Sequence, residues 1–249
     1  KDDIMVDIKE YKPNIKKKYK DIDISIDKVA ISPMSTKIYI NQNIKRHSKD
    51  LKTPYSYFTY GEYVLLDDKE NLLAFDSSSL ISKNYIEWNR SYEYKYGGLD
   101  SKTEYLTLVP IINRIGAREL IDENGKTYSS EDLKWSKDLL NKDNLPIKIK
   151  QGEFGEAIVK EIEDKYDKTI VRFEVEGKIP AFQAKLVWVE DEDENTLSTD
   201  TDIEKSKDKT NEFSIKVDKL DPNKKYFIRT TNFANLKYNE SYNIKIPIK

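Results

Sequence analysis

The chain has 249 residues, 43 of them basic and 45 acidic, for a net charge of −2 near neutrality. That balance excludes the strong cationic field that draws a protein onto nucleic acid, and the lack of any cysteine excludes disulfides, thiolate catalysis and cysteine-based metal sites. No stretch of roughly 18 apolar residues is present, so no segment reads as a membrane-spanning helix.

In chain order, residues 1–20 come first, with Lys9, Lys12, Lys16, Lys17, Lys18 and Lys20. They read as a solvated basic tail or stalk whose lysines could strengthen a hold on an anionic surface. The chain opens at Lys1 with no initiator methionine and no signal peptide, so the expectation is a mature or excised fragment. Ile22, Ile24 and Ile26 then alternate, and Val29 and Ile31 continue one residue out of phase. That slip predicts a bulged strand. Ser32-Pro33-Met34-Ser35 reads as a turn, Thr36 to Ile40 as the next strand, and 41–54 as a polar loop. Tyr57 to Leu66 reads as a long strand ending in the polar run Asp67 to Asn71. Tyr92, Tyr94 and Tyr96 alternate up to a corner at Leu99-Asp100, and Tyr105 opens another strand through Leu106 and Leu108. Asp122-Glu123-Asn124-Gly125 is a hairpin signal. Ser129 to Asp132 looks like a helix start, and Leu133, Leu139 and Leu140 suggest a helical connector of two or three turns at most.

The second half repeats the first. Tyr92 to Tyr105 lines up with Phe213 to Tyr226, 121 positions on, including Leu-Asp at the corner and the closing Tyr. Ile26, Val29 and Thr36 match Val159, Ile162 and Thr169 at 133, and Val64 matches Val187 at 123. The offset changes only between strands, where a duplicated module absorbs insertions. Each copy has the form of a tyrosine corner, in which a strand-opening Tyr bonds back to the corner backbone. The expected fold class is therefore all-β: two tandem immunoglobulin-like β-sandwiches joined by a short helical connector. The expected boundaries are a tail at 1–20, a first domain at 21–141 and a second at 146–249. The alternating Tyr242, Ile244, Ile246 and Ile248 close the second domain, with Pro247 suiting an edge. Residues 191–211 read as a solvated loop with an edge strand near Ile203.

Chemistry-bearing motifs are sparse. His47 is the sole histidine, and no nucleophile elbow or phosphate-binding glycine loop appears. Gly152-x-x-Gly155 precedes a strand and is a weak candidate for such a loop. Glu190 to Glu194 could offer oxygen ligands to calcium, yet lacks the usual ligand spacing and reads better as a solvated turn. No catalytic residue, metal or cofactor is expected. Tyr92, Tyr94 and Tyr96 align with Phe213, Ile215 and Val217, so they are expected to face inward. Tyr55, Tyr85 and Trp88 lie outside the strong alternation and are the candidate ligand-binding residues, since an exposed aromatic strip can stack on a sugar.

Three segments carry a family resemblance: Ile26 to Thr36 (IDKVAISPMST), Ile121 to Tyr128 (IDENGKTY), and Glu176 to Ala184 (EGKIPAFQA) running into Leu186 to Val189. They resemble the extracytoplasmic region of membrane-anchored anti-sigma factor-like proteins of Gram-positive bacteria. In that family an uncharacterised domain precedes an immunoglobulin-like C-terminal domain. The resemblance implies a non-enzymatic sensory or scaffold ectodomain, extracytoplasmic and membrane-anchored in the full-length protein. Its partner would be a protein or cell-envelope ligand, with no nucleic acid and no membrane contact except through an anchor outside this chain. The alternative is a surface adhesin or glycan-binding protein; a hydrolase on a sandwich scaffold ranks third.

Overall fold

Alternation of apolar and polar residues becomes β-structure throughout. The computed structural model describes residues 8–19, 22–44, 62–84, 89–113, 119–121, 127–129, 136–199, 202–231, 233 and 236–249. The fold is all-β and antiparallel, with a single short α-helix among the described residues. Two units divide the chain: unit 1 comprises 1–117 and 238–249, and unit 2 comprises 118–237.

The chain starts in unit 1 with β1 (Lys9–Tyr11), β2 (Ile15–Lys18), β3 (Ile22–Ile31), β4 (Ser35–Ile44), β5 (Glu62–Leu66), β6 (Phe75–Asn84), β7 (Asn89–Gly97) and β8 (Tyr105–Asn113). Unit 2 holds β9 (Glu119–Ile121), β10 (Thr127–Ser129), β11 (Ser136–Leu139), β12 (Ile147–Lys150), β13 (Gly155–Lys165) and β14 (Lys168–Gly177). It continues with α1 (Pro180–Ala184), β15 (Val187–Asp191), β16 (Ile203–Lys205), β17 (Glu212–Asp218), β18 (Tyr226–Thr230) and β19 (Leu236–Lys237). The chain then returns to unit 1 as β20 (Ile244–Pro247).

In unit 1 the larger sheet runs β1-β3-β4-β7-β6, with β2 also on β3, and the smaller sheet places β8 between β5 and β20. Ile24, Ile26, Ile38, Ile40, Tyr94 and Tyr96 from the first sheet meet Tyr63, Leu65, Leu106, Leu108, Ile244 and Ile246 from the second in one buried core. In unit 2 one sheet runs β12-β13-β14-β17-β16 and the other β11-β18-β15.

The repeat read in the sequence recurs in strand pairing and in several turns of the two units. Ile26 pairs with Ile40 and Val29 with Ile38 across a bulge in β3. At the same places in β13, Val159 pairs with Phe173 and Ile162 with Val171 across another bulge. The Leu-Asp corners also match. Asp100 accepts from the Lys102 amide at 3.0 Å, as Asp221 accepts from the Asn223 amide at 2.9 Å. The turns after β5 and β15 shift one alignment. Asp67 Oδ1 caps the amides of Lys69 and Asn71 at 2.9 and 2.8 Å, and Asp191 Oδ1 caps those of Asp193 and Asn195 at 3.0 and 2.8 Å. Glu70 and Glu194 both sit at positive φ, 59° and 64°. These turns set the local offset at 124 rather than 123, so Tyr63 rather than Val64 is the counterpart of Val187.

The tyrosine corner forms in one unit only. The Asp221 amide donates to Tyr226 Oη at 3.0 Å. In unit 1 the Tyr105 ring lies under the Lys245 ammonium, 3.4 Å from its centroid. The reason is phase: Leu106 and Leu108 face the core in β8, whereas Ile228 and Thr230 face it in β18. Tyr226 shares the inward phase of its strand and Tyr105 does not.

Residues 41–44, read as part of a polar loop, instead extend β4, with Asn41 to Asn43 paired to Ser91 to Asn89; further expectations also differ from the structure. Residues 9–18 are not a solvated tail, because β1 and β2 pair with β3 at Ile31 to Val29 and at Ile26 to Asp23. Residues 136–139 are a strand rather than a helical connector; β11 pairs with β18, Leu139 opposite Phe227, and only Lys142–Asn144 make a 3-10 turn, capped by Asn141. Of the suggested helix start, Ser129 ends β10 opposite Glu119, and residues 130–135 lie outside the described residues. The terminal strand does not belong with 146–249: Ile244 and Ile246 pair with Leu108 and Leu106, so the second unit ends before Tyr238 and the first is closed by the end of the chain.

The two cores differ in chemistry. Unit 2 buries Phe154, Phe173, Phe213 and Phe233, whereas unit 1 buries Tyr63, Tyr94 and Tyr96. Gln42 donates to Tyr63 Oη at 2.7 Å, and Tyr96 Oη donates to the Tyr63 carbonyl at 2.7 Å. Burial pushes the phenols of Tyr63, Tyr94 and Tyr96 far up. Tyr19 is pushed up to about 12 by burial, and Tyr39 to about 12, chiefly by its hydrogen bond with Glu93. A raised folded pKa favours the neutral phenol. The stability it gives is complete below the unfolded value near 10 and is lost as pH rises through the folded values. Alkaline titration is therefore expected to open unit 1 between about pH 10 and 12 while unit 2 holds. Phenolate absorbance with residue-resolved hydrogen exchange measures this; simultaneous loss of both units would contradict it.

Candidate functional site

Tyr55, Tyr85 and Trp88, and also His47, lie outside the described residues. Tyr94 and Tyr96 are buried and Tyr92 packs against the same core, as their alignment with Phe213, Ile215 and Val217 requires. The Gly152-x-x-Gly155 pair serves a turn. Gly152 and Gly155 have φ of 64° and 130°, and a Cβ on Gly155 would stand 2.0 Å from the Glu176 carbonyl oxygen. Backbone passes too close there for any side chain. In the run Glu190 to Glu194, the Asp191 carboxylate is engaged by donors, Oδ2 accepting from Asn195 Nδ2 at 2.9 Å besides the two capped amides. The Asn195 side chain, followed by these amides, holds the Asp191 carboxyl below the usual range. No group of three or more His, Cys, Asp or Glu has metal-binding geometry among the described residues.

The most organised polar cluster covers the outward face of the β11-β18-β15 sheet. Lys137, Arg229 and Trp188 stand in one cross-strand row, because Lys137 and Trp188 both register with Arg229. Leu139, Phe227 and Glu190 stand in the next. Glu190 is only 1% exposed although it points away from the core of its sheet. Arg229 Nη1 reaches one of its oxygens at 2.7 Å, and Lys137 Nζ lies 3.6 Å from the other. The Arg229 guanidinium sits 5.9 Å from the Trp188 ring centroid, and Lys137 Nζ 5.0 Å from that of Phe227. Lys137 Nζ also lies 3.4 Å from a Glu194 oxygen, so two cations face two carboxylates, and the cluster contains neither a nucleophile nor a base aimed at one. It ties three strands together and presents a mixed aromatic and charged surface. Trp188 and Glu190 alternate with buried Val187 and Val189, which signals a shared outer face. Their neighbours from β18 and β11 come through long-range pairing that sequence spacing does not show.

The two edges of the larger sheet in unit 1 contrast. β6 lies at one edge and exposes Phe75, Leu80 and Ile81, at 58%, 50% and 56%. Its serine-rich sequence has register irregularities at Phe75/Ser77 and Leu80/Ser82. The opposite edge is formed by β1 and β2 and carries exposed lysines. Lysine on an edge strand opposes pairing with another chain, whereas exposed apolar residues on an edge invite it.

Residues 8–149 match a family of unknown function, DUF5643. The match covers more than half of the chain, and the chain belongs to that family. No curated protein matches it. Among solved structures it is similar to one titled "The crystal structure of the conserved domain protein from Bacillus anthracis". That likeness is 11% identity over 96% of this chain and 92% of that one, with a TM-score of 0.25.

Proposed function

We propose that each unit is an immunoglobulin-like sandwich and that the chain is a non-enzymatic extracytoplasmic ectodomain, sensory or scaffolding, of a membrane-anchored anti-sigma factor-like protein. The observation that carries the reading is the strand order. β3-β4-β7-β6 with β5-β8-β20 in unit 1, and β13-β14-β17-β16 with β15-β18-β11 in unit 2, follow the ABED and CFG order of immunoglobulin sandwiches. The last strand of each smaller sheet comes from an unusual place, the chain terminus in unit 1 and the segment before β12 in unit 2. Unit 2 is thereby tied to unit 1 by chain at both of its ends. The polar clusters described above serve as caps and strand ties, consistent with a role without turnover.

Two measurements on the native full-length protein test this. Protease added outside intact cells is expected to cut within residues 8–249. Deleting those residues is expected to change output from a promoter driven by the cognate sigma factor. Protection until lysis, or unchanged output under every envelope stress applied, would overturn the reading.

A further inference from the structure

We propose that the β1–β2 edge of unit 1 is a docking surface for an anionic lipid bilayer. Lys9, Lys12, Lys16, Lys17 and Lys18 are all exposed, and none forms an ion pair among the described residues. The carboxylate among them, Glu10, is already taken by Lys28 at 2.5 Å. Elsewhere lysines are commonly neutralised on their own sheet, as in Lys37–Glu93 at 2.8 Å, Lys95–Asp76 at 2.6 Å, Lys148–Glu156 at 3.0 Å and Lys168–Asp218 at 2.7 Å. Among the described residues, five lysines without an ion pair thus share one sheet edge.

The display is fixed by the fold. β1 and β2 pair with opposite ends of β3, so the lysines lie along an edge about 33 Å long, at about 3.3 Å per strand residue. The other carboxylates on β3 are Asp23, opposite Lys18, and Asp27, which accepts hydrogen bonds from Ser25 and Asn41. They do not cancel five lysines.

A second feature selects a bilayer over a soluble polyanion. Ile8 is 59% exposed and Met34 is 79% exposed. Lys9 registers with Ile31, the residue before the Ser32–Ser35 turn that carries Met34, so both apolar residues stand at the β1 end of the edge. Lysines beside exposed apolar side chains suit an interface where headgroups meet acyl chains. Guarding the edge against strand pairing would use the lysines but would leave Ile8 and Met34 without a role. The inference adds to the proposed function without depending on it, since it concerns direct adsorption of this chain with no anchor.

The test uses the purified chain with vesicles rich in phosphatidylglycerol, and phosphatidylcholine vesicles as reference. Each lysine near an anionic leaflet is worth about a fivefold gain in binding, so replacing three loses on the order of 100-fold. Co-sedimentation is expected with the anionic vesicles alone and is expected to weaken as salt rises. The variant Lys16→Gln/Lys17→Gln/Lys18→Gln, all at exposed positions, should lose about that factor with an unchanged melting temperature. Met34→Ser should weaken binding while leaving its salt dependence intact. No binding at low salt, equal binding by the triple variant, or binding to soluble polyphosphate as tight as to vesicles with no effect of Met34→Ser would each overturn the proposal. None of those results would bear on whether the full-length protein is extracytoplasmic.

Discussion

Removing Ile244 to Lys249 is expected to unfold unit 1 and to leave the β13–β14 hairpin of unit 2 protected. The segment looks dispensable, being the last strand at the end of the chain. Yet Ile244, Ile246 and Ile248 are all buried in the core shared by Tyr63, Leu65, Leu106 and Leu108. Trimming one such isoleucine to alanine costs about 2–5 kcal/mol. Losing three, together with the ladder that pairs Ile244 to Pro247 with Leu108 to Tyr105, approaches the whole stability of a domain, about 5–15 kcal/mol. Residue-resolved hydrogen exchange reads the outcome. Amides of β3, β4 and β7 should exchange freely in the truncated chain while those of β13, β14 and β17 stay slow. Had the terminal strand completed the second unit, the pattern would be reversed, and that reversal would sink the assignment. The point variant Ile246→Ala should lower the unfolding free energy of unit 1 by about 2–5 kcal/mol and leave unit 2 unchanged.

Why the sequence misplaces this strand is instructive. Ile244, Ile246 and Ile248 announce a strand with one buried face, but alternation does not say which sheet receives it. Adjacency in the chain suggested the nearer unit, and the fold uses β11 there instead. β11 itself is easily mistaken: Ser136 to Leu139 has no buried residue, so its strand character comes from pairing with β18 rather than from periodicity. The same holds for Ile15-Lys16-Lys17-Lys18, where three lysines hide a strand that forms because the edge of β3 is available. What was legible came from local rules with strict spacing. The phase slip between Ile26 and Val29 foretold a bulge, the alignment of Tyr92 to Tyr96 with Phe213 to Val217 foretold an inward face, and the edge strand near Ile203 is present as β16. The tyrosine corner was legible as a motif, but its bond depends on the phase of the following strand, which the motif does not fix.

Arg229→Met is expected to destabilise unit 2 by about 3–5 kcal/mol, the loss found when one partner of a buried ion pair is removed. The size follows from where Glu190 sits. Its side chain is 1% exposed, and its closest cation is Arg229 at 2.7 Å, itself only 17% exposed. Lys137, at 3.6 Å and 41% exposed, is too distant and too well hydrated to replace the guanidinium. Removing Arg229 therefore leaves a carboxylate in a place that water barely reaches. Lys137→Met should cost no more than about 1 kcal/mol, because an exposed amine contributes little. The double variant Glu190→Leu/Arg229→Met should recover most of the loss, since both charges then leave together and Trp188, Phe227 and Leu139 already line the same face. Urea unfolding of the parent chain, Glu190→Leu, Arg229→Met and the double variant forms a thermodynamic cycle. A coupling energy within about 0.5 kcal/mol of zero would mean that Glu190 is held by something other than Arg229. A large coupling would identify the pair as the tie that fixes β15 against β18, and would explain how an aromatic and charged surface can face outward on this sheet without unbalanced charge.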